Sequence, residues 1–322
     1  MNKKFFFKVT SSKNIGSGHI FRTLKIAKRL KKKDVIFITN NFNKNFNKFL
    51  KPYKTIVINN NENKFNKKKD LNSTIKILKK FKQKKILIVD NYFNKISWQK
   101  NIKNYVHKLI IIQDKLENNY CDIYINENFF FNKINKVFFK KKCLILCWPK
   151  YNLLSKKKIE IYKGNNIHCY IFFGGSDVKN YTYQILKIFS KSDIKFYVCL
   201  GESNNNINKV LKIKNKNIKI FKQGENYYKI LKKCNFAISA GGSTLLDLIY
   251  NNMPLIAFCT ANNQINNLIN LKNNKSLFMY NKKINNEFID YFYKCFKNRY
   301  KLNSNLIKNS KIDKVVNIIK NA

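Results

Sequence analysis

Short apolar runs typical of β-strands alternate with helix-patterned stretches along the whole chain. In the first half these runs include Phe5 to Val9 and Ile86 to Val89, and in the second half they include His168 to Phe173 and Phe236 to Ser239. The stretches between them, such as Phe21 to Leu30, carry apolar residues three and four positions apart, which is the spacing of an amphipathic helix. Because strand–helix alternation produces parallel sheets with helices on both faces, the sequence predicts an α/β fold.

A polar crossing near Ser155 to Asn166 divides this alternation into two similar halves. The length of 322 residues also fits two domains of ordinary size better than one. We therefore predict two Rossmann-like domains that face a cleft, the first over residues 1–155 and the second over residues 156–322. The last stretch, Glu287 to Ile319, has the pattern of two helices, which we expect to close the second domain.

The most informative motif begins where the apolar run at Phe236 ends in a Gly-Gly-Ser-Thr turn. Paired glycines let a ligand approach the backbone closely, and a helix that begins near Ser243 offers free N–H groups and hydroxyls to a phosphate. Asp247 lies one turn further on, where its carboxylate can accept hydrogen bonds from ribose hydroxyls. The motif therefore predicts a site for a nucleotide diphosphate. Its candidate ligands are Gly242, Ser243, Thr244, Asp247, Asn263 and Gln264.

A second glycine-rich turn, Gly16-Ser17-Gly18-His19, follows the first predicted strand and opens the first predicted helix. The dinucleotide fingerprint requires a small residue where this chain has Phe21, so we expect neither NAD nor FAD. The helix dipole disfavours a charged imidazolium at His19, and a neutral imidazole can act as a general base. Arg22 lies one turn on, where it could hold a phosphate or orient a carboxylate. The alternative is that His19 only caps the helix and that Arg22 lies on the surface.

The formal net charge of +48 could indicate a nucleic-acid partner, but the kind of basic residue argues against one. Only Arg22, Arg29 and Arg299 are arginines, and arginine is the residue favoured for bidentate phosphate recognition. The lysines are spread over both halves of the chain, as solvated surface charge would be. We therefore expect no nucleic-acid partner and, because like charges repel on association, a monomer.

The cysteines and the apolar segments indicate the cellular compartment of the protein. The eight cysteines include no Cys-x-x-Cys pair and lie mostly in apolar surroundings, which is typical of free thiols in a reducing cytoplasm. No run of about 20 apolar residues occurs, so we expect no membrane span. The stretch from Met1 to Thr10 fits a first buried strand better than a signal peptide. The sequence thus predicts a cytoplasmic protein that needs neither a metal nor a cofactor.

Taken in order, these motifs resemble those of the UDP-2,4-diacetamido-2,4,6-trideoxy-β-L-altropyranose hydrolase family of pseudaminic acid biosynthesis and its spore-coat polysaccharide relatives, which have a GT-B-type fold. The Gly-x-Gly-His-x-x-Arg turn is the most specific N-terminal feature of that family. The acidic residue of the second motif is usually Glu in the family and is Asp247 here. An Asp-Asp pair of the family corresponds to Gln113-Asp114. The resemblance extends in order over both predicted domains.

By this resemblance, His19 is the catalytic residue that activates water. The stretch from Val89 to Tyr92 resembles an Asp-x-Tyr element that lies beside the sugar in the family. Asp90 could therefore hydrogen-bond a sugar hydroxyl or amide, or it could cap the next helix. In addition to the nucleotide ligands named above, the candidate substrate-binding residues are Gly18, Arg22, Asp90, Tyr92, Gly174, Gly175 and Ser176.

The resemblance implies an enzyme that hydrolyses a UDP-linked diacetamido-trideoxy sugar at C1 and releases free sugar and UDP. A glycosyltransferase of the same build, which uses a hydroxyl acceptor in place of water, is one alternative. A non-catalytic nucleotide-sugar binder, in which Asp247 and Gln113 mark a decayed site, is another. UDP release that requires an acceptor would favour the transferase, and UDP binding without turnover would favour the binder.

Overall fold

The fold is that of a computed structural model, which describes residues 2–12, 16–40, 48–60, 64–115, 117–128, 142–148, 150–154, 158–224, 226–303, 306–307 and 311–322. The chain divides into two units, one formed by Met1–Leu154 with Ser310–Ala322 and the other by Ser155–Asn309. The predicted boundary at residues 155–156 lies outside the described residues.

The described part of the first unit is built on a sheet of seven parallel strands in the order β3-β2-β1-β4-β5-β6-β7. The strands are β1 (Lys3–Val9), β2 (Val35–Asn40), β3 (Lys54–Ile58), β4 (Lys84–Asp90), β5 (Lys108–Ile112), β6 (Ile123–Asn126) and β7 (Leu144–Cys147). The first three helices of this unit are α1 (Gly18–Ala27), α2 (Lys67–Lys79) and α3 (Ile96–Lys103).

The central strand β1 shows how the sequence is divided between the two faces of this sheet. Phe5 and Phe7 pack into a core that also contains Ile20 of α1. Phe6 packs into a separate core on the other face, together with residues of α2 and α3. Because side chains alternate along a strand, Lys8 lies on the same face as Phe6, where it is fully buried. A lysine buried inside a parallel sheet needs a charged partner.

The described part of the second unit contains a sheet of six parallel strands in the order β10-β9-β8-β11-β12-β13. These strands are β8 (His168–Phe172), β9 (Lys195–Leu200), β10 (Ile218–Lys222), β11 (Phe236–Ala240), β12 (Leu255–Phe258) and β13 (Phe278–Tyr280). Its helices are α4 (Tyr181–Ile188), α5 (Ile207–Leu211), α6 (Tyr227–Leu231), α7 (Ser243–Tyr250), α8 (Ile265–Asn273) and α9 (Asn286–Lys297).

The predicted α/β class, with one parallel sheet in each half of the chain, is confirmed. The predicted runs at residues 5–9, 86–89 and 236–239 lie within β1, β4 and β11. Apolar periodicity marks the first helix only from Phe21, and α1 begins at Gly18, within the glycine-rich turn that was expected to open it. Among the helices of the described ranges, none is both long and apolar enough to cross a membrane.

The last described helix, α10 (Ile312–Asn321), corrects the predicted extent of the second domain. Residues 287–319 were expected to form two helices that close this domain, and α9 does pack into the core of the second unit. Helix α10 instead packs into the core of the first unit, through Ile312, Val315, Val316 and Ile319. Both helices have one strongly apolar face. Such a face predicts that the helix packs against a core, but it does not indicate which of the two sheets provides that core.

We predict that Ile319→Ala lowers the free energy of unfolding by about 2–4 kcal/mol, because it removes a fully buried side chain from the core of the first unit. Asn317→Ala, on the exposed face of the same helix, is the matched control and should have little effect. Urea unfolding measures the loss, and amide hydrogen exchange locates it. Faster exchange in β8 with unchanged exchange in β1 would contradict the assignment of α10 to the first unit.

Candidate active site

The strand register of the first unit brings the predicted histidine turn next to Asp90. β1 and β4 are neighbours, and Val9 at the end of β1 pairs with Asp90 at the end of β4. The turn that follows β1 leads into α1, which starts at Gly18. His19 and Arg22, one helical turn apart, therefore reach the carboxyl edge of the sheet, where ligands bind in folds of this type.

Asp90 forms a buried cluster with both of these residues. The Nε and Nη2 atoms of Arg22 donate to the two carboxylate oxygens of Asp90 at 2.8 and 2.6 Å. The Nδ1 atom of His19 lies 2.6 Å from Oδ1 of the same carboxylate. The residues are 4% (His19), 6% (Arg22) and 0% (Asp90) exposed, so water competes little for these contacts. Bidentate charge-assisted pairs of this kind are among the strongest hydrogen bonds in proteins.

The charge of Asp90 determines which nitrogen of His19 carries the proton. Burial by itself would raise the pKa of the Asp90 carboxyl, but the guanidinium of Arg22 and the ring of His19 bring it below its ordinary value. An ionised carboxylate can only accept hydrogen bonds, so Nδ1 of His19 must donate to it. Nη2 of Arg22, 3.3 Å from the same Nδ1, then serves Asp90 alone. In the neutral ring this leaves the lone pair of Nε2 for a reactant.

Tyr92 and Asp114 extend the cluster. The ring of Tyr92 meets that of His19 edge to face, with 4.7 Å between centroids. Its hydroxyl donates to Oδ2 of Asp114 at 2.7 Å, and Nη1 of Arg22 lies 3.9 Å from the same oxygen. Burial and the charge of Asp114 raise the pKa of Tyr92, which keeps the phenol a donor. Nζ of Lys115 lies 4.5 Å from the centre of the Tyr92 ring. The site therefore combines an imidazole, two carboxylates and two cations.

Two alternatives drawn from the sequence, both of them helix caps, do not fit this geometry. The alternative in which His19 caps α1 and Arg22 lies on the surface is wrong, because Ser17 is the N-cap residue and Arg22 is buried. Asp90 was expected to bind the sugar or to cap the next helix. It does not cap α3, whose N-cap is Lys95. Its fully buried carboxylate instead contacts His19 and Arg22, and a contact between Asp90 and the sugar stays a prediction. Sequence spacing could not show this, because the contacts depend on β1 pairing with β4.

In the second unit, three of the loops at the carboxyl edge of the sheet carry the predicted nucleotide ligands. Gly174, Gly175 and Ser176 follow β8, and Gly174 has a positive φ of 83° that favours glycine. Gly242 follows β11 as the exposed N-cap of α7, which has no side-chain cap, and Ser243 and Thr244 form the first turn. Asn263 and Gln264 lie in a 3₁₀ turn after β12. These predicted ligands therefore all lie at the carboxyl ends of strands of the same sheet.

Gly201, which the sequence interpretation overlooked, explains how two of these loops pack together. It follows β9 directly, and a Cβ atom at this position would lie 2.3 Å from the carbonyl oxygens of Gly174 and Gly175. Only glycine therefore allows the two loops to meet. The signal was present in the sequence, because Gly201 ends the apolar run from Phe196 to Leu200.

Among the predicted ligands of this unit, Asp247 is buried and Gln264 is hydrogen-bonded within its own loop. Asp247 is 8% exposed on α7, one turn after the glycine turn. The side-chain oxygen of Gln264 accepts hydrogen bonds from the backbone N–H and the hydroxyl of Thr260, at 2.9 and 3.0 Å. Gln264 thus orders the loop after β12, and its amide nitrogen is the group left to contact a ligand.

Comparison with known proteins gives sequence relatives at moderate identity. No family model matches the chain. The chain is 27% identical over 268 residues to the UDP-2,4-diacetamido-2,4,6-trideoxy-β-L-altropyranose hydrolase of Campylobacter jejuni, a match that covers 81% of this chain and 93% of that protein. It is 28% identical over 269 residues to an uncharacterised protein of Methanocaldococcus jannaschii, which covers 76% of this chain but about half, 53%, of that relative. The resemblance to the hydrolase family is confirmed.

Solved structures show the fold. The MurG structure of Acinetobacter baumannii superposes with a TM-score of 0.68 at 13% identity, over 99% of this chain and 100% of that one. The calicheamicin glycosyltransferase CalG4 gives 0.63 at 10% identity, over 100% and 94%. The UDP complex of UGT89C1 from Arabidopsis thaliana gives 0.64 at 10% identity, over 99% and 100%. The predicted GT-B-type fold class is confirmed.

We predict that Asp90→Asn lowers the free energy of unfolding by about 3 kcal/mol at pH 7, because it removes the carboxylate that pairs bidentately with the buried guanidinium of Arg22. The lowered pKa of Asp90 stabilises the fold above the pKa of an unfolded aspartate, about 4, and this contribution is lost as the pH falls through the folded value. The difference between wild type and variant should therefore shrink below about pH 4. Urea unfolding from pH 7 to pH 2 measures it.

Asp290→Asn is the control for this experiment, because Asp290 is an exposed residue on α9 and its carboxylate lies on the surface. A difference between wild type and Asp90→Asn that stays constant down to pH 2 would contradict the buried ion pair.

Proposed function

We propose that the protein hydrolyses a UDP-linked diacetamido-trideoxy sugar at C1, in the biosynthesis of pseudaminic acid, with His19 as the base that activates water. The observation that carries this proposal is the 2.6 Å contact between Nδ1 of His19 and Asp90, which leaves Nε2 as the basic nitrogen. The similarity to a hydrolase whose name states this substrate supports the choice of reaction. The fold, shared with enzymes named as glycosyltransferases, supports a nucleotide sugar as the substrate class.

In the proposed reaction, Nε2 of His19 removes a proton from water as the water oxygen bonds to C1 of the sugar. The bond between C1 and the diphosphate oxygen breaks, and UDP leaves with the electron pair. Asp90 accepts from Nδ1 and stabilises the imidazolium that forms, while Arg22 keeps Asp90 ionised. General base catalysis contributes about 10²- to 10⁴-fold, and the remaining acceleration comes from positioning and from stabilising the leaving diphosphate.

The UDP leaving group is assigned to the second unit. The N-terminus of α7 carries partial positive charge and unpaired N–H groups, which favour a phosphate at Gly242, Ser243 and Thr244. The turn at Gly174 to Ser176 offers a second stretch of backbone to the diphosphate. Asp247 on α7, together with Asn263 and Gln264 in the turn after β12, is assigned to the ribose and base. In the first unit, Gly18 and Tyr92 are assigned to the sugar.

A glycosyltransferase that uses the same donor is the second candidate, and the likeness in fold to calicheamicin glycosyltransferase favours it. A hydroxyl acceptor would then take the place of water at C1, and His19 would deprotonate it in the same way. The two candidates differ only in the second substrate, so a single assay with and without an acceptor separates them.

We predict that wild-type protein releases UDP from UDP-2,4-diacetamido-2,4,6-trideoxy-β-L-altropyranose without an acceptor, and that His19→Ala lowers turnover by about 10²-fold or more. In H₂¹⁸O, one ¹⁸O should appear in the free sugar and none in UDP, because attack at C1 breaks the bond between carbon and oxygen. His19→Ala should keep the UDP affinity of wild type, since the base lies in the first unit. Label in UDP, or release that requires an acceptor, would refute hydrolysis at C1.

We also predict that Gly242→Ala weakens UDP binding by about tenfold or more while the thermal midpoint stays unchanged. A Cβ atom there has no neighbour within 4 Å and the backbone is extended, so the fold tolerates it. The added methyl group would instead meet a diphosphate at the N-terminus of α7. Calorimetric titration with UDP measures the affinity. Gly201→Ala is the contrasting variant, because its Cβ collides with backbone and should lower stability as well. Unchanged UDP affinity in Gly242→Ala would remove this turn from the site.

A further inference from the structure

A connected set of buried polar side chains lies on the α2 and α3 side of the first sheet. Each of its members is at most 7% exposed. We call it the amide network, and its members are Lys8, Asp70, Asn91, Asn94, Gln99, Gln113 and Asn119. Buried polar groups cost stability unless every one is paired, and apolar residues could fill the same space. Packing alone therefore does not account for these polar residues.

One half of the network runs from β1 to the loop after β4. Nζ of Lys8 donates to Oδ1 of Asp70 at 2.7 Å, which supplies the counter-charge for the buried lysine. Nδ2 of Asn94 donates to the other carboxylate oxygen of Asp70 at 3.0 Å. Nδ2 of Asn91 donates to Oδ1 of Asn94 at 2.6 Å, and Oδ1 of Asn91 accepts two backbone N–H groups of the same loop at 3.0 Å. These bonds fix the conformation of residues 91–94.

The other half runs from this loop to the end of β5. Nε2 of Gln99, on α3, donates to the backbone oxygen of Asn94 and to Oδ1 of Asn119, both at 2.9 Å. Its Oε1 accepts the backbone N–H of Tyr120 at 2.6 Å. Nδ2 of Asn119 then donates to Oε1 of Gln113 at 2.9 Å. Gln99 thus uses both N–H groups and its oxygen, and it is the residue that joins the two halves.

Two members of the network, Asn91 and Gln113, adjoin Tyr92 and Asp114, the outer residues of the active-site cluster. Asn91 immediately precedes Tyr92, and Gln113 immediately precedes Asp114. Tyr92 and Asp114 are in turn joined by their own 2.7 Å hydrogen bond beside His19. The network therefore holds the backbone at both partners of this bond.

We propose that the amide network is a positioning device for the reaction, with Gln99 as its central residue, and that it holds Tyr92 and Asp114 in place against His19. This inference rests on the proposed function. It also gives Gln113 a role: its amide accepts from Asn119 and donates to Glu117, which an aspartate could not do. The difference from the Asp-Asp pair of the resembling family then lies in the support of the site, and it does not mark a decayed one.

Gln99→Met tests the proposal, because it keeps the length of the side chain and removes three hydrogen bonds. The matched control is Asn235→Leu in the second unit. Asn235 is equally buried, and its amide also makes three bonds, to the backbone of Gly164, Asn166 and His168. Both variants should lower the thermal midpoint. Only Gln99→Met should lower kcat, by about 10- to 100-fold, while UDP affinity stays within about twofold of wild type.

Amide hydrogen exchange provides a readout that does not depend on turnover. In Gln99→Met, the N–H groups of Phe93 and Asn94 should exchange faster than in wild type, because the loop that Asn91 orders loses an anchor. In Asn235→Leu their exchange should be unchanged. Unchanged exchange at both positions in Gln99→Met, or an equal loss of kcat in the two variants, would overturn the proposal.

Two outcomes separate this inference from the proposed function. If wild type releases no UDP, the proposed function fails, while the exchange measurement still decides whether the network orders residues 91–94. If Gln99→Met does not fold, Gln113→Met at the end of the network takes its place, because it leaves the bonds of Gln99 to Asn94 and Tyr120 intact. Gln113→Met should then lower kcat with UDP affinity unchanged, and wild-type kcat in a folded Gln113→Met would overturn the proposal.

Discussion

The buried ion pair between Arg22 and Asp90 is the interaction on which the first unit's chemistry depends. A carboxylate with no exposed surface is costly unless it is paired, and the guanidinium supplies two charge-assisted bonds to it. Because Arg22 belongs to α1 and Asp90 ends β4, the pair also ties the first helix to the sheet. His19 is then presented to the same carboxylate, which orients its ring and determines its tautomer.

Each unit contributes a different kind of chemistry at the carboxyl edge of its own sheet. The first provides an imidazole, carboxylates and cations, which can move a proton and bind a polar sugar. The second provides glycine turns and the N-terminus of α7, which suit an anion. Hydrolysis of a nucleotide sugar requires a base for the water and positive charge for the leaving diphosphate. The proposed hydrolysis of a nucleotide sugar uses both.

The sequence predicted the features that are local along the chain. The apolar runs predicted β1 and β11, and the Gly-rich turns predicted where α1 and α7 begin, since strand, turn and helix follow one another within a few residues. The role of Asp90 could not be predicted, because it depends on β1 lying beside β4 with Val9 opposite Asp90. The position of α10 and the partners of Gln99 are likewise set by tertiary contacts. For an isolated polar residue in an apolar run, such as Lys8, the sequence does not indicate which residue is its partner.

The tautomer of His19 tests the central claim most directly, and ¹⁵N NMR of histidine-labelled protein measures it. The resonances of His19 are assigned by their absence in His19→Ala. At a pH where the ring is neutral, Nδ1 should carry the proton and Nε2 should be bare, because the Asp90 carboxylate can only accept. A neutral ring protonated at Nε2, with Nδ1 bare, would contradict the account, since Asp90 could then neither orient the base nor stabilise the imidazolium.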